Sequence, residues 1–339
     1  MDKKILIGVV IVIVLAVGFY FYTTTTTTTT TTTKLYTGKI NIGYVAWPGY
    51  LGLYIAKDKG YFEESGLDVD IISYPSLSEE YSNYASGKDK GAATLILDAV
   101  NQAYGGLDHK IILAIDHSNG SDGIMARRGI TSFKDVKGKR VAYEHGTLEE
   151  FFLQYALDQN SLSLADITPI DLNPEKSAEA VVAGNADVAV TYEPFMSKAL
   201  AKSGGNKIYS SADAPNLITD VLAFRSDFIN AYPDTIDAIV RAYFKAIRFW
   251  KERPEEANSI IAKYLDTPVD QVSSQVGGVI MLDEADNQRA FTFSAGLESL
   301  YGNARSIKEF VQEHQQKDNP RKIDSDALIE PRFIKKLLK

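Results

Sequence analysis

Residues 41–72 read NIGYVAWPGYLGLYIAKDKGYFEESGLDVDII. Apolar residues alternate with smaller or polar ones over residues 40–46, which predicts a β-strand, and the Trp47-Pro48-Gly49 sequence then ends it. Apolar residues at helical spacing follow until a glycine, and a second strand comes next. Small molecules bind open α/β sheets where strands end beside helix starts. Trp47 and Tyr50 therefore predict a ligand site, although the alternative is that they only cover the core.

Strands and helices alternate after residue 39, and this order is typical of an α/β protein with a mainly parallel sheet. The predicted strands are 39–46, 69–74, 92–97, 110–116, 123–127, 140–143, 167–171, 188–191 and 221–224. The predicted helices are 50–59, 78–86, 99–104, 148–159, 174–183 and 194–202. From Asp227 onward the pattern is almost wholly helical.

Two further stretches carry a family resemblance: GNADVAVTYEPFMSKAL at residues 184–200 and IDSDALIEPRFIKKLL at residues 323–338. Together with residues 41–72 they resemble the solute-binding proteins of ABC importers. The group is the nitrate/sulfonate/taurine-type family, which also includes binders of thiamine-precursor pyrimidines. The resemblance covers nearly everything from residue 39 to residue 338, and it indicates the family more than a particular ligand.

The resemblance implies a two-lobed type II periplasmic-binding-protein fold, in which the chain crosses twice between the lobes. The expected boundaries are residues 39–119 plus 222–339 for lobe 1, residues 120–221 for lobe 2, and residues 118–123 and 219–223 for the crossings. Gly120 and Gly123 suit a hinge that absorbs backbone rotation when lobes close around a ligand, and an ordinary turn is the alternative.

The N-terminal region is expected to be a membrane anchor and a linker. Residues 1–22 contain an uncharged apolar run that can just span a bilayer, and Lys3-Lys4 before it places the rest of the chain outside. A cleaved signal peptide ending near Ala16-Val17-Gly18 is the alternative, but the apolar run continues past that point. Residues 23–38, with an unbroken threonine run over 23–33, predict an extended linker. The globular part is thus expected at the extracytoplasmic face of the cell membrane, or periplasmic or secreted if the signal is cleaved.

Composition excludes several classes of protein. The formal net charge is −8, whereas nucleic-acid binding needs a basic face. The chain has no cysteine, which excludes disulfides, thiolate metal sites, a Cys nucleophile and a lipid-attached Cys. The histidines lack metal-ligand spacing, and the common phosphate-binding, zinc-protease and serine-hydrolase motifs are absent. We therefore expect no metal, no cofactor and no enzyme activity. The pyrimidine synthases that resemble this family depend on a Cys-rich iron motif, which this chain lacks.

The candidate ligand-binding residues share one position, at or just after the carboxyl end of a predicted strand. In a two-lobed protein these strand ends face one another across a cleft. The candidates are Trp47, Tyr50, Ser76, Asp98, Asp116, Ser118, Gly146, Thr147, Tyr192 and Glu193. Family members commonly hold the ligand between aromatic faces of the two lobes, which implies Trp47 and Tyr50 on one side and Tyr192 on the other.

Helix capping offers a competing explanation for several of these residues. Thr147 and Glu150 have the spacing of a capping box, and because Gly146 permits close backbone approach, the exposed amides at this helix start could in addition receive an anionic ligand group. Ser78 is the expected N-cap of its helix, which leaves Ser76 free to face the cleft.

Two carboxylates differ in how well capping explains them. Asp98 has the position of an N-cap for the helix at residue 99, and that role is favoured over ligand contact. Glu193 is a poor N-cap and precedes Pro194, which suits the first helical position. A carboxylate at position 193 could accept a hydrogen bond from a ligand amine or ring N–H.

These observations predict the extracytoplasmic solute-binding subunit of an ABC importer. We expect a monomer that captures a small polar organic solute by lobe closure and delivers it to a permease driven by a separate ATPase subunit. The aromatic residues and Glu193 favour a sulfonate/taurine-like or pyrimidine-like solute over nitrate or bicarbonate. A membrane-tethered sensor ectodomain acting through a partner is the alternative, and no nucleic-acid partner is expected.

Overall fold

The computed structural model of the protein describes residues 34–337. The predicted anchor and the threonine run therefore lie outside the described residues. Within residues 34–337, no helix is both long and apolar enough to cross a membrane.

The strands and helices follow one another along most of the described chain. The strands are β1 (Ile40–Val45), β2 (Val69–Tyr74), β3 (Gly91–Leu95), β4 (His109–Ser118), β5 (Asp122–Ala126), β6 (Arg140–Tyr143), β7 (Thr168–Asp171), β8 (Val188–Tyr192), β9 (Asn206–Ser210), β10 (Thr219–Arg225) and β11 (Val279–Met281). The helices are α1 (Leu51–Asp58), α2 (Tyr61–Glu64), α3 (Leu77–Ala85), α4 (Ile96–Tyr104), α5 (Leu148–Gln159), α6 (Pro174–Val182), α7 (Phe195–Ser203), α8 (Ser226–Ala231), α9 (Pro233–Glu252), α10 (Pro254–Leu265), α11 (Val269–Val276), α12 (Glu284–Ala290), α13 (Leu300–Phe310) and α14 (Arg332–Lys336). Short 3₁₀ turns include Pro48–Tyr50 and Ser211–Asp213.

In the described part of the chain the strands form two sheets. One has six strands in the order β11-β4-β10-β3-β1-β2, and the other has five in the order β7-β6-β8-β5-β9. The prediction of a mainly parallel sheet is wrong, because β10 runs antiparallel to β3 and β4, and β5 runs antiparallel to β8 and β9. β5 and β10 each follow a connection between the two sheets, and such a connection is free of the handedness rule that applies to a crossover between parallel neighbours. The short edge strand β11 also runs antiparallel to β4.

Every predicted strand is present, whereas β9 and β11 were not predicted. β9 (NKIYS) is a half-exposed edge strand, and β11 has only three residues within the helical C-terminal region. Short edge strands bury few side chains, so the alternation of apolar and polar residues in their sequences is weak. Residues after Asp227 are therefore not wholly helical.

The core of the six-stranded sheet is set by β4. Its residues 111–115, IILAI, are all fully buried, as expected for a strand covered on both faces. The long helix α9 buries an apolar stripe at helical spacing, which includes Ile236, Val240 and Tyr243. This central strand ends at Ser118, where the chain leaves the sheet.

The chain passes between the sheets over residues 119–121 and again over residues 211–218. The two connections are bonded to each other, because Ser118 Oγ lies 2.8 Å from Ser211 Oγ and the Gly120 amide donates to Ser211 Oγ at 2.6 Å. Gly120 has φ +109°, a conformation that glycine adopts far more easily than other residues. Gly123 lies inside β5 instead, where an added Cβ would be 2.6 Å from Met196 Sδ, so close packing explains it better than a hinge.

A buried amide side chain completes the hydrogen bonding of β4. Asn287 is fully buried; its Oδ1 accepts from the Ala114 amide, and its Nδ2 donates to the Ala114 carbonyl, both at 2.9 Å. Asn287 thus takes the place of a strand residue beside β4. Buried backbone groups without such partners are energetically costly.

We predict that Asn287→Ala lowers the free energy of unfolding by about 2–4 kcal/mol, because it leaves the buried Ala114 amide and carbonyl unpaired. Urea unfolding followed by far-UV circular dichroism measures the change. Asn258→Ala is the matched control, because Asn258 makes only an exposed hydrogen bond to Ser273. Equal stability of the Asn287 and Asn258 variants would contradict this role of Asn287.

Candidate functional site

A cavity of about 360 Å³ lies between the two sheets. The residues that line it from the six-stranded sheet and its connections are Val45, Ala46, Trp47, Tyr50, Leu77, Leu95, Asp98, Ile218 and Asp220. Those that line it from the five-stranded sheet and its connections are Asp122, Glu144, Gly146, Thr147, Leu148, Glu149, Pro174 and Tyr192. The cavity therefore combines an apolar wall with an unusual number of carboxyl groups.

The sheet topology explains why these residues meet. The carboxyl ends of β1, β3, β6 and β8 lie at the cavity, as expected for ligand sites of α/β sheets. Because β5 and β10 run antiparallel to their neighbours, their first residues lie at the same edges. Asp122 begins β5, and Asp220 is the second residue of β10.

Three aromatic residues line the cavity from both sheets, as predicted. Trp47 and Tyr50 flank the 3₁₀ turn after β1, and Tyr192 ends β8. The Trp47 indole N–H donates to the Asp116 carboxylate at 3.3 Å, and the Tyr50 hydroxyl donates to Asp220 Oδ1 at 2.6 Å. The polar ends of these two rings are thus occupied by aspartates; Tyr50 is 4% exposed, whereas Trp47 is only partly buried and keeps surface for a ligand.

Asp116 and Asp220 form a like-charge pair in the floor of the site. They lie opposite each other in the register of β4 and β10, and both are almost completely buried. Burial, together with the charge of Asp220, raises the pKa of Asp116 well above its usual range, and burial likewise raises the pKa of Asp220. Like charges directly opposite each other on adjacent strands destabilise a sheet. Burial and mutual repulsion therefore both favour the form in which the pair keeps a proton.

Two other aspartates have an oxygen that is not hydrogen-bonded. Asp122 is 6% exposed, and its Oδ2 has no hydrogen-bond partner among residues 34–337; the same is true of Asp98 Oδ2. Burial raises the pKa of Asp122 to about 6 and the pKa of Asp98 to about 7. The predicted N-cap role of Asp98 is wrong, because its helix begins earlier, at Ile96, and Leu95 holds the N-cap position. Asp98 is therefore available to the cavity.

The predicted capping box at the start of α5 is absent. The Thr147 hydroxyl lies 2.6 Å from Glu149 Oε2 and does not accept from a helix amide. Glu150 accepts from the Gly146 amide at 2.8 Å, one residue before the predicted position. Burial raises the pKa of Glu149 to about 7, and it also raises the pKa of Glu144. The Gly146 amide is thus already used by a carboxylate, which removes one of the amides expected to receive an anionic group.

Four predicted residues do not line the cavity: Ser76, Asp116, Ser118 and Glu193. Ser76, and not Ser78, is the N-cap of its helix, where it accepts from the Glu79 amide at 3.2 Å. Asp116 lies behind Trp47, and Ser118 joins the two connections between the sheets.

The Glu193 carboxylate forms hydrogen bonds with the helix that follows it, α7. The carboxylate accepts from the Ser197 amide at 3.2 Å and from the Ser197 hydroxyl at 2.8 Å. The expectation that capping could not account for Glu193 is therefore wrong, because this side chain reaches past Pro194 to the first turn of α7.

The sequence reasoning missed four carboxyl groups that line the cavity, namely Asp122, Glu144, Glu149 and Asp220. Each lies beside an apolar strand or in the first turn of a helix that follows one. A search for acids at both ends of each strand, rather than at carboxyl ends alone, would have found Asp122 and Asp220. Within residues 34–337, no group of three or more His, Cys, Asp or Glu is placed to hold a metal ion.

A second cavity, of about 740 Å³, adjoins the first and shares Leu77, Asp98 and Gly146 with it. Glu80 lines this second cavity, is 1% exposed, and has no hydrogen-bond partner for either carboxyl oxygen among the described residues. Burial raises the pKa of Glu80 to about 8. The acidic character of the site thus continues beyond the first cavity.

Comparison with known proteins identifies the family. A family model described as NMT1/THI5 like matches residues 47–257. The chain belongs to this family. A Bacillus subtilis (strain 168) protein named for aliphatic sulfonate binding is 26% identical over 293 residues, which are 84% of this chain and 84% of that protein.

Solved structures show the same fold. The periplasmic aliphatic sulphonate binding protein of Escherichia coli superposes with a TM-score of 0.72 at 18% identity, covering 87% of this chain and 98% of that one. The periplasmic nitrate-binding protein of Synechocystis PCC 6803 superposes with a TM-score of 0.64 at 17% identity, covering 88% and 87%. The mixed α/β fold with two sheets is therefore that of periplasmic binding proteins, and the predicted family is confirmed.

One relative is an enzyme. The 4-amino-5-hydroxymethyl-2-methylpyrimidine phosphate synthase of Schizosaccharomyces pombe is 26% identical over 233 residues, which are 62% of this chain and 65% of that protein. The Bacillus subtilis relative and the two superposed structures are instead named as binding proteins.

We predict that Asp122→Asn stabilises the ligand-free protein by about 1–3 kcal/mol at pH 8. The Asp122 carboxyl has a pKa near 4 when unfolded but about 6 when folded. Its contribution to stability is therefore greatest below pH 4 and is lost as pH rises to about 6. Urea unfolding at pH 8 and pH 4 should show a larger advantage of the variant at pH 8. An equal or larger advantage at pH 4 would contradict the raised pKa.

Proposed function

We propose that this protein is the extracytoplasmic solute-binding subunit of an ABC importer. The supporting observation is the cavity between two sheets, which is lined by aromatic residues from both in a chain with the fold of periplasmic binding proteins. Substrate-binding proteins of importers are the relatives that this fold and family indicate. The carboxyl groups in the cavity have bonding partners or face the cavity, and we assign them to binding and not to catalysis.

The proposed mechanism is closure of two lobes over the solute. The expected second crossing at residues 219–223 is wrong, because these residues lie within β10 of the six-stranded sheet. We therefore assign residues 39–119 plus 219–337 to lobe 1 and residues 120–218 to lobe 2, with the rotation taken up near Gly120. Support comes from the two bonded connections and from the positive φ of Gly120. A solute that contacts residues of both lobes stabilises the closed state by its differential affinity for it. The closed protein, as a monomer, then docks on a permease whose separate ATPase subunit drives transfer.

The cavity itself limits the solute. About 360 Å³ with Trp47, Tyr50 and Tyr192 in the lining suits a small organic molecule with a planar or apolar body. Nitrate and bicarbonate would leave most of this apolar surface uncovered. Of the two predicted classes, a pyrimidine-like solute with amino or ring N–H groups agrees with the carboxyl lining, and a sulfonate head does not.

We predict that solute binding shortens the distance between spin labels at Ser78→Cys and Glu175→Cys. These exposed positions are adjacent to the lining residues Leu77 and Pro174, on opposite sides of the cavity, and the absence of native cysteine makes labelling specific. A thermal-shift screen of amines, aminopyrimidines, sulfonates, nitrate and bicarbonate first identifies a stabilising solute. Double electron–electron resonance then measures the distance with and without it.

The control pair, Ser78→Cys with Lys88→Cys, lies within proposed lobe 1 and should keep its distance. An unchanged distance in both pairs at saturating solute would favour a rigid sensor module over an importer subunit.

We also propose that residues 1–22 anchor the protein in the cell membrane, with residues 23–34 as a linker. The linker predicted over residues 23–38 is too long, because Leu35 and Tyr36 pack on the core and the Tyr36 amide donates to Thr235 Oγ1 at 2.8 Å. The apolar run and the preceding lysines support the anchor. We predict that the mature protein keeps Met1 and sediments with membranes, whereas deletion of residues 5–33 releases it. N-terminal sequencing that begins after residue 16 would contradict the anchor and indicate a cleaved signal.

A further inference from the structure

We propose that the cavity binds an organic cation that carries N–H groups, an ammonium or a protonated nitrogen heterocycle. This proposal rests on the proposed function, because it names the class of solute that the binding subunit would take. The proposal is based on the lining of one small cavity, which contains five carboxyl groups and three aromatic rings. The carboxyl groups belong to Asp98, Asp122, Glu144, Glu149 and Asp220.

The cavity has no positive side chain to balance these acids. Among the described residues that line it there is no Lys, Arg or His, and none of the five carboxyl groups takes part in a salt bridge within residues 34–337. By contrast, Asp187, beside the five-stranded sheet, forms salt bridges with Arg127 and Arg140. Buried charges in proteins are normally paired in this way, so five unpaired acids around one cavity indicate a missing counter-ion.

Unused hydrogen-bond acceptors indicate where the cation donates. Asp122 lines the cavity and is 94% buried, and its Oδ2 has no partner among the described residues and almost no exposed surface. Asp98 Oδ2, on the opposite wall, is likewise unpartnered and covered, so each carboxyl group must turn to offer this oxygen to a ligand. Carboxylate oxygens accept strongly from charged N–H groups. A ligand with N–H donors would satisfy both walls, which a quaternary ammonium could not.

The aromatic and aliphatic lining agrees with this class of ligand. Trp47 and Tyr192 line the cavity and are only partly buried, and cations are attracted to aromatic ring faces within about 6 Å of the ring centre. Leu95, Leu148 and other aliphatic residues complete the wall. The ligand should therefore combine a cationic head with a small apolar or planar body.

An anionic solute is less well served, because three of the donors at the cavity are already used. The Trp47 N–H donates to Asp116, the Tyr50 hydroxyl donates to Asp220, and the Gly146 amide donates to Glu150. A sulfonate or nitrate in the cavity would face carboxyl groups without a free donor from these residues. The ligand preference of this chain is thus opposite in charge to that named for its sulfonate- and nitrate-binding relatives.

Matched ligands that differ only in the head group test the proposal. The probes are butylammonium, butanol and butanesulfonate, and benzylammonium, benzyl alcohol and phenylmethanesulfonate, each titrated into the full chain in non-ionic detergent by calorimetry. We expect at least one ammonium probe to bind about tenfold or more tightly than its alcohol, and neither sulfonate to bind. Ammonium affinity should rise from pH 5.5 to pH 8.5 as protons leave Asp122, Asp98 and Glu149, whose pKa values burial raises to about 6, 7 and 7.

The isosteric variant Asp122→Asn should weaken the ammonium probe about tenfold or more while keeping its folded state and its near-UV spectrum. Asp158→Asn removes the same charge from an exposed position outside the cavity and should leave the affinity unchanged.

Failure of both ammonium probes to bind better than their alcohols overturns the cation proposal, as does wild-type affinity in Asp122→Asn. If a sulfonate binds and shortens the distance across the cavity, the importer function stands and the cation proposal falls. Tighter sulfonate binding at low pH would show that protonated carboxyl groups act as donors to an anion, and this also overturns it.

Discussion

The cavity is constrained by the free-energy cost of burying several carboxyl groups without a bound counter-ion. Burial disfavours their charged form, and the cross-strand pair of Asp116 and Asp220 adds mutual repulsion. A protein selected only for stability would replace these acids with neutral residues of the same shape. Their presence at one cavity is therefore best explained by a ligand that needs them, and stability is reduced where function requires it.

The fold limits this destabilisation by supplying donors and helix ends. The rings of Trp47 and Tyr50 donate to the two strand aspartates. Asp98 and Glu149 lie in the first turns of α4 and α5, where the positive end of the helix dipole favours a carboxylate. In other proteins, helix N-termini often bind anionic ligands. In this protein, the N-termini of α4 and α5 are occupied by the carboxylates of Asp98 and Glu149 instead. This difference allows one fold to serve solutes of opposite charge.

Much of the fold could be predicted from the sequence, because long apolar strands and amphipathic helices leave strong periodic signals. Trp47, Tyr50 and Tyr192 were found because they follow strands whose carboxyl ends lie at the cavity. Asp122 and Asp220 were missed because periodicity does not report strand direction, and antiparallel strands bring their first residues to the same edge. The role of Glu193 could not be predicted from its sequence spacing to the helix either. From the same backbone position, its flexible side chain could reach either a helix amide or the cleft.

The bond between Ser118 and Ser211 has a mechanical consequence. Two separate connections between bodies usually permit sliding as well as rotation, since each connection can flex independently. Here the two connections are hydrogen-bonded to each other where each leaves its sheet, and the Gly120 amide adds a second link at the same place. The axis of any rotation of one sheet relative to the other that keeps these bonds would have to pass close to the two serines. A change in either connection would then alter the motion of both.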